Sequence, residues 1–218
     1  MDDVLGHLNQ LNLGWLSQAE QHRYDSFSSG ARRRQFLCGR FLVREVIGHI
    51  RGGQWDTYFL SAPEEGAPRL TGQSGDEELD TMCISISHTD GWVACAVSDR
   101  AIGVDVQSRN KQRDIIGLSQ MIGFDFSPEK DSSAIRLNRL FYANWGLSEA
   151  WIKQCSVSSG ASVPRFVPGH TSDNCLGGLV CDIGDATLAL YPARLEAIEM
   201  APGSVQVSHW ANWRLVSE

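Results

Sequence analysis

The stretch from Met82 to Gln107 does most to limit what this chain can fold into. Three short runs, Cys83 to Ser87, Trp92 to Ser98 and Ile102 to Gln107, are separated only by His88-Thr89-Asp90-Gly91 and Asp99-Arg100-Ala101. Connections this short join neighbouring antiparallel strands, because a parallel crossover needs a dozen or more residues. The pattern therefore predicts an antiparallel meander. Upstream, apolar residues recur at helical spacing from Ser17 to Phe27 and from Arg32 to Ile50, where Phe36, Leu37, Phe41, Val43, Val46, Ile47 and Ile50 supply one inward face. Downstream, Ile135 to Gln154 repeats the helical period, and Leu176 to Asp182 with Ala186 to Tyr191 reads as a later strand pair. Between Gly52 and Asp80, residues Pro63, Gly66, Pro68, Gly72 and Gly75 mark a connection of irregular chain or short edge strands. The order helix, strands, helix, strands predicts an α+β fold in two halves, although no repeat is visible in the residues themselves.

Composition narrows the function classes. With 42% hydrophobic residues, the 218-residue chain can bury a core as one large domain or two small ones. A formal net charge of −7 argues against broad attraction to nucleic acid or to an anionic membrane, and Arg32-Arg33-Arg34 is the one local basic run. The start, Met1-Asp2-Asp3-Val4, is acidic, and no apolar run approaches the ~18 residues of a membrane span. The chain reads as cytoplasmic, with no membrane partner. Its six cysteines include no Cys-x-x-Cys pair and no histidine at finger spacing, which predicts reduced, mostly buried thiols.

Several residues carry chemistry only in combination. Alternation along Ile102-Gly103-Val104-Asp105-Val106-Gln107 places Asp105 and Gln107 on one face; alone, such an Asp is satisfied by a turn or an arginine. Glu149 and Lys153 stand at i,i+4, which alone is an exposed pair worth about 0.3 kcal/mol. Ser87-His88 falls at a strand end beside a Gly-containing turn, where loop residues often meet ligands. Arg32, Phe36 and Arg40 step by four and share a helix stripe, while Arg33 and Arg34 read as a solvated face.

Taken together, Ser85-Ile86-Ser87-His88-Thr89-Asp90-Gly91-Trp92 through Ile102 to Gln107, followed by Trp145-Gly146-Leu147-Ser148-Glu149-Ala150-Trp151-Ile152-Lys153, resemble the signature pair of the Sfp-type 4′-phosphopantetheinyl transferases. Arg32 to Arg40 is similar to the Arg-x-x-x-Phe-Leu-x-Gly-Arg helix of many members. The resemblance covers roughly Ser17 to Pro164. It implies two pseudo-twofold-related subdomains, 1–103 and 104–218, each with a small antiparallel sheet and packed helices, with coenzyme A lying in the cleft between them. It implies Mg2+ held by Asp105, Gln107 and Glu149, with Asp105 and Glu149 catalytic and Glu149 the candidate base. It assigns Arg23, Arg32, Arg40, Ser87, His88 and Lys153 to coenzyme A. The activity implied is transfer of phosphopantetheine to a serine of an acyl or peptidyl carrier protein by a monomer with an internal pseudo-dimer.

Two positions depart from the family pattern. Gln107 stands where a second acid is usual, and Ser148 replaces the lysine of Trp-x-x-Lys-Glu. Ser156-Val157-Ser158-Ser159-Gly160 also lacks the Gly-x-Gly common after this helix. These departures support a rival reading, a degenerate relative that binds coenzyme A or a carrier protein without transfer.

Overall fold

The computed structural model describes residues 6, 8, 12–75, 77–79, 81–109, 113–121, 133–155, 165–169, 177–193, 198–200 and 209–216. It is an α+β fold with small antiparallel sheets, dividing after Ile102 into two compact units. Among the described residues no helix is long and apolar enough to cross a membrane.

The first unit holds two helices, α1 (Gln18–Ser26) and α2 (Gly30–Arg51). Ser17 and Glu20 set the start of α1 through a reciprocal capping box: Glu20 N donates to Ser17 Oγ and Ser17 N donates to Glu20 Oε2. The same Glu20 is fully buried and accepts two hydrogen bonds from the equally buried Arg44 guanidinium of α2, at 3.0 and 2.5 Å. Two short strands, β1 (Phe59–Leu60) and β2 (Leu70–Thr71), pair inside the stretch expected to be a connection. Then β3 (Cys83–Thr89) and β4 (Trp92–Ser98) form a hairpin across Asp90-Gly91, with Gly91 at φ +77°, a conformation that favours glycine. Val43 and Ile47 of α2 bury against Leu60, Leu70 and Ile84. Gly39 lets the helix approach β3, since a Cβ there would lie 3.0 Å from Ile86 Cγ2.

The second unit begins at β5 (Gly103–Ser108) and corrects the expected meander. β5 does not pair with β4. It edges a five-stranded antiparallel sheet in the order β5-β8-β7-β9-β6, with β6 (Arg165–Pro168), β7 (Gly177–Ile183), β8 (Ala186–Tyr191) and β9 (Ala211–Val216). The reason is burial. Residues 103–106 are buried without alternation, and the long helix α4 (Ala134–Cys155) lies against the strand so closely that a Cβ on Gly103 would fall 1.8 Å from Ala150 O. A strand covered on both faces belongs inside a layered unit. Ala143, Leu147 and Ala150 of α4 pack on Phe166, Val180, Ala189, Tyr191 and Trp213 of the sheet. A further short helix, α3 (Ile115–Met121), precedes α4. The Ser156 to Gly160 loop lies outside the described residues.

Candidate active site

In the first unit, arginines gather around two phenylalanine rings. The Arg23 and Arg32 guanidinium carbons stand 5.1 and 5.6 Å from the Phe27 ring centroid, Phe27 lies 5.5 Å from Phe36, and Arg40 stands 4.8 Å from Phe36. Cation–π contact fixes a guanidinium without neutralising it, so the cluster stays attractive to anions. Arg23 also donates to Glu64 O at 3.1 Å. Arg32 donates to Nε2 of His88, the imidazole that β3 carries opposite Val93. Ser87 precedes it and is buried.

Arg40 is the most committed of these cations. It is buried, donates to Ser61 O at 2.8 Å, and its Nε lies 3.8 Å from Glu20 Oε1. Burial pushes its pKa down to about 10, opposed by the Glu20 charge, so it stays protonated at neutral pH. The expected solvated face holds for the exposed Arg34 but not for Arg33. Arg33 is half-buried, donates to the Phe27 and Asp25 carbonyls at 2.8 and 3.4 Å, and lies over the Tyr24 ring.

In the second unit, β5 and α4 converge on Asp105, which is 2% exposed. Lys153 Nζ donates to Asp105 Oδ1 at 2.7 Å and to Val104 O at 3.0 Å. Gln107 Nε2 donates to Asp105 Oδ2 at 2.8 Å, which turns the amide oxygen away from Asp105. Alternation had placed Asp105 and Gln107 on one face, and their side chains do meet. Gly146 lets α4 lie close to β8, because a Cβ there would stand 3.0 Å from the Ala189 methyl, while Asp105 Oδ2 would remain at an ordinary contact distance of 3.9 Å.

Glu149 sits on the same helix, half-buried. Burial raises its carboxyl above the ordinary range, the Asp105 charge raises it further, and Lys153 opposes both. The i,i+4 spacing pointed to a Glu149–Lys153 pair, yet the Lys153 hydrogen bonds go to Asp105 and Val104, 48 and 49 residues away. Ser148, at the position of the absent lysine, is buried. A cation that the sequence reading missed stands nearby in the fold: the Arg113 guanidinium lies 5.8 Å from the Trp145 ring on α4. No local spacing connects residues 113 and 145, so only the fold brings them together.

The donor set suits a hard divalent cation. Asp105 and Glu149 carry carboxylates, while Gln107 presents its amide nitrogen rather than its oxygen to Asp105. Among the described residues no cluster of three His, Cys, Asp or Glu side chains forms a self-sufficient metal cage. Magnesium is characteristically held by one or two carboxylates with phosphate and water oxygens completing the shell, and these residues fit that pattern.

Comparison with known proteins finds similar sequences among phosphopantetheinyl transferases. A family profile described as 4′-phosphopantetheinyl transferase, N-terminal, matches residues 8–100. The 4′-phosphopantetheinyl transferase Sfp of Bacillus subtilis is 30% identical over 166 residues, 68% of each chain. The L-aminoadipate-semialdehyde dehydrogenase-phosphopantetheinyl transferase of Xenopus laevis is 28% identical over 160 residues, 67% of this chain and 51% of its own. The phosphopantetheinyl transferase of a Thraustochytrium species is 24% identical over 199 residues, 84% of this chain and 67% of its own. The chain thus spans about half the length of the frog relative and about two thirds of the other two.

Proposed function

The chain belongs to the 4′-phosphopantetheinyl transferase family, and from that premise we propose that it transfers 4′-phosphopantetheine from coenzyme A to a serine of an acyl or peptidyl carrier protein. In the reaction the serine Oγ forms a bond to the phosphorus that carries pantetheine. The pyrophosphate P–O bond breaks, 3′,5′-ADP leaves, and the hydroxyl proton passes to a base. The observation that carries this reading is the convergence of Lys153 and Gln107 on the buried Asp105, with Glu149 one turn of α4 away from Lys153.

Asp105 and Glu149 would hold Mg2+, joined by Gln107 Oε1 once its amide turns over from Asp105 Oδ2, and the metal when bound supplies Lewis-acid neutralisation of the pyrophosphate. The remaining work falls to the chain. Glu149 is the base, a carboxylate on α4 one turn from Lys153. Lys153 faces the pyrophosphate, and Arg113 serves in place of the cation lost at Ser148. Arg23, Arg32, Ser87 and His88 take the 3′-phosphoadenosine end, with Arg40 the least mobile member of that set. The phosphoadenosine residues fall in the first unit and the metal and pyrophosphate residues in the second. That 1–103 and 104–218 are pseudo-repeats of a monomer working in the cytoplasm is part of the same reading. The five described cysteines, all free thiols, fit a reducing compartment.

The test is incubation with coenzyme A, magnesium and a panel of apo acyl- and peptidyl-carrier proteins, read by intact mass. A gain of one phosphopantetheine, lost in folded Asp105→Ala and Glu149→Ala, supports transfer. Binding of coenzyme A with every carrier mass unchanged points instead to a degenerate relative.

A further inference from the structure

Both oxygens of Asp105 are engaged by the chain itself. Oδ1 accepts from the Lys153 ammonium and Oδ2 from the Gln107 amide, and the carboxylate is almost wholly removed from solvent. Taking a carboxylate out of water is costly unless a charge and hydrogen bonds compensate it. Lys153 is the compensating charge: it reaches Asp105 from α4 with 30% of its side chain exposed and is tethered a second time by Val104 O. Asp105, Glu149, Gln107 and Lys153 sum to −1, whereas a second acid at 107 would make the sum −2.

A divalent cation and an ammonium placed on one carboxylate repel each other, and they compete for the same lone pairs. We propose that Lys153 is an exchangeable internal counter-ion of Asp105: a divalent cation binding at Asp105 displaces the ammonium, which then becomes available to a phosphate oxygen. This rests on the metal reading of Asp105 given above. It adds to that reading a coupling in which metal binding arms the phosphate ligand, and phosphate, by holding Lys153 away from Asp105, favours the metal in return. Before a metal binds, Gln107 belongs to the same device. Its neutral amide steadies Asp105 Oδ2 without adding a charge that would hold Lys153 more tightly.

The test is equilibrium binding of Mn2+ alone to the full chain at pH 8, followed by the electron paramagnetic resonance of free Mn2+, with no coenzyme A or carrier present. Lys153→Gln and Lys153→Met remove the competing cation and are expected to bind Mn2+ about tenfold more tightly than wild type, a difference of about 1.4 kcal/mol. Lys153→Arg retains a cation able to pair with Asp105 and is expected to bind as weakly as wild type. Unchanged or weaker binding in the folded Gln and Met variants overturns the proposal.

The wild-type chain gives a measurement that needs no variant. Saturating Mn2+ should increase the labelling of Lys153 by an amine-acylating reagent, read by peptide mass spectrometry against Lys111 and Lys130, the chain's other two lysines. No increase overturns it as well. An Asp105→Asn arm separates the two levels. Loss of Mn2+ binding there, with no difference among the Lys153 variants, leaves the metal reading standing and rejects only the exchange. Full binding by Asp105→Asn rejects the metal reading itself, whatever the transfer assay shows.

Discussion

Restoring the family's usual acid with Gln107→Glu opposes two effects that metal concentration can separate. Without metal, the substitution replaces a donor 2.8 Å from Asp105 Oδ2 with a second carboxylate. The lost hydrogen bond to a charged group is worth about 1.5–3 kcal/mol. Two charges relaxed to about 5 Å apart repel by roughly 3 kcal/mol at an effective dielectric of 20. Lys153 beside Asp105 screens part of this, and protonation of one carboxyl offers another outlet. A net loss of about 2 kcal/mol in chelator is therefore expected, lowering the melting temperature by about 4–8 °C for a chain of this size. With magnesium the sign reverses, because the added hard anionic oxygen serves the metal. The variant should recover its stability as magnesium is added and reach half-maximal transfer at lower magnesium than wild type. Melting curves in chelator and across a magnesium series, beside transfer rates over the same series, test both halves. An unchanged melting temperature in chelator would refute the Gln107–Asp105 contact, and an unchanged magnesium dependence would refute the placement of residue 107 at the metal.

Three other expectations follow from the geometry. Because burial and the Asp105 charge raise the Glu149 carboxyl, its titration in chelator, read as the infrared carboxylate difference between wild type and Glu149→Gln, should lie above the ordinary range near ~4.3, and added Mg2+ should move it down; titration at or below that range in chelator contradicts the environment described, and no response to Mg2+ contradicts Glu149 as a ligand. Glu20→Gln leaves the fully buried Arg44 without its anion and should cost about 3–5 kcal/mol of unfolding free energy, read by denaturant titration, and a loss under 1 kcal/mol would show that the pair is not buried as described. Arg32→Ala and Lys153→Ala should weaken binding of coenzyme A, measured by calorimetry, by roughly tenfold or more while leaving phosphate-free pantetheine unaffected, because each supplies a charge-assisted contact to phosphate; equal losses for both ligands would contradict those roles.

What could be read from the sequence follows from which interactions are local. The helices α2 and α4 were readable because a 3.6-residue apolar period reports a buried face wherever the partner lies. The β3–β4 hairpin was readable because its turn, Asp90-Gly91, is specified by adjacent residues. β5 was placed in the wrong sheet for the complementary reason: the short Asp99-Arg100-Ala101 link imitates a hairpin turn, while the feature that reassigns the strand is the contact of Gly103 with Ala150, 47 residues on. β6 and β9 gave only brief apolar runs, although each places an aromatic, Phe166 or Trp213, in the core.

The candidate site divides along the same line. Spacing on α4 pointed to a Glu149–Lys153 pair worth a few tenths of a kcal/mol on an exposed helix face. The fold offers Lys153 a carboxylate that is almost fully buried, and its need for a counter-charge outweighs the local pair. Asp105 therefore captures the lysine, and Glu149, half-buried and facing a second negative charge, is left with a raised pKa. On the metal reading proposed above, the lysine is held where a cation at Asp105 would have to displace it, while the Glu149 carboxyl is raised first by its own burial and then by the Asp105 charge.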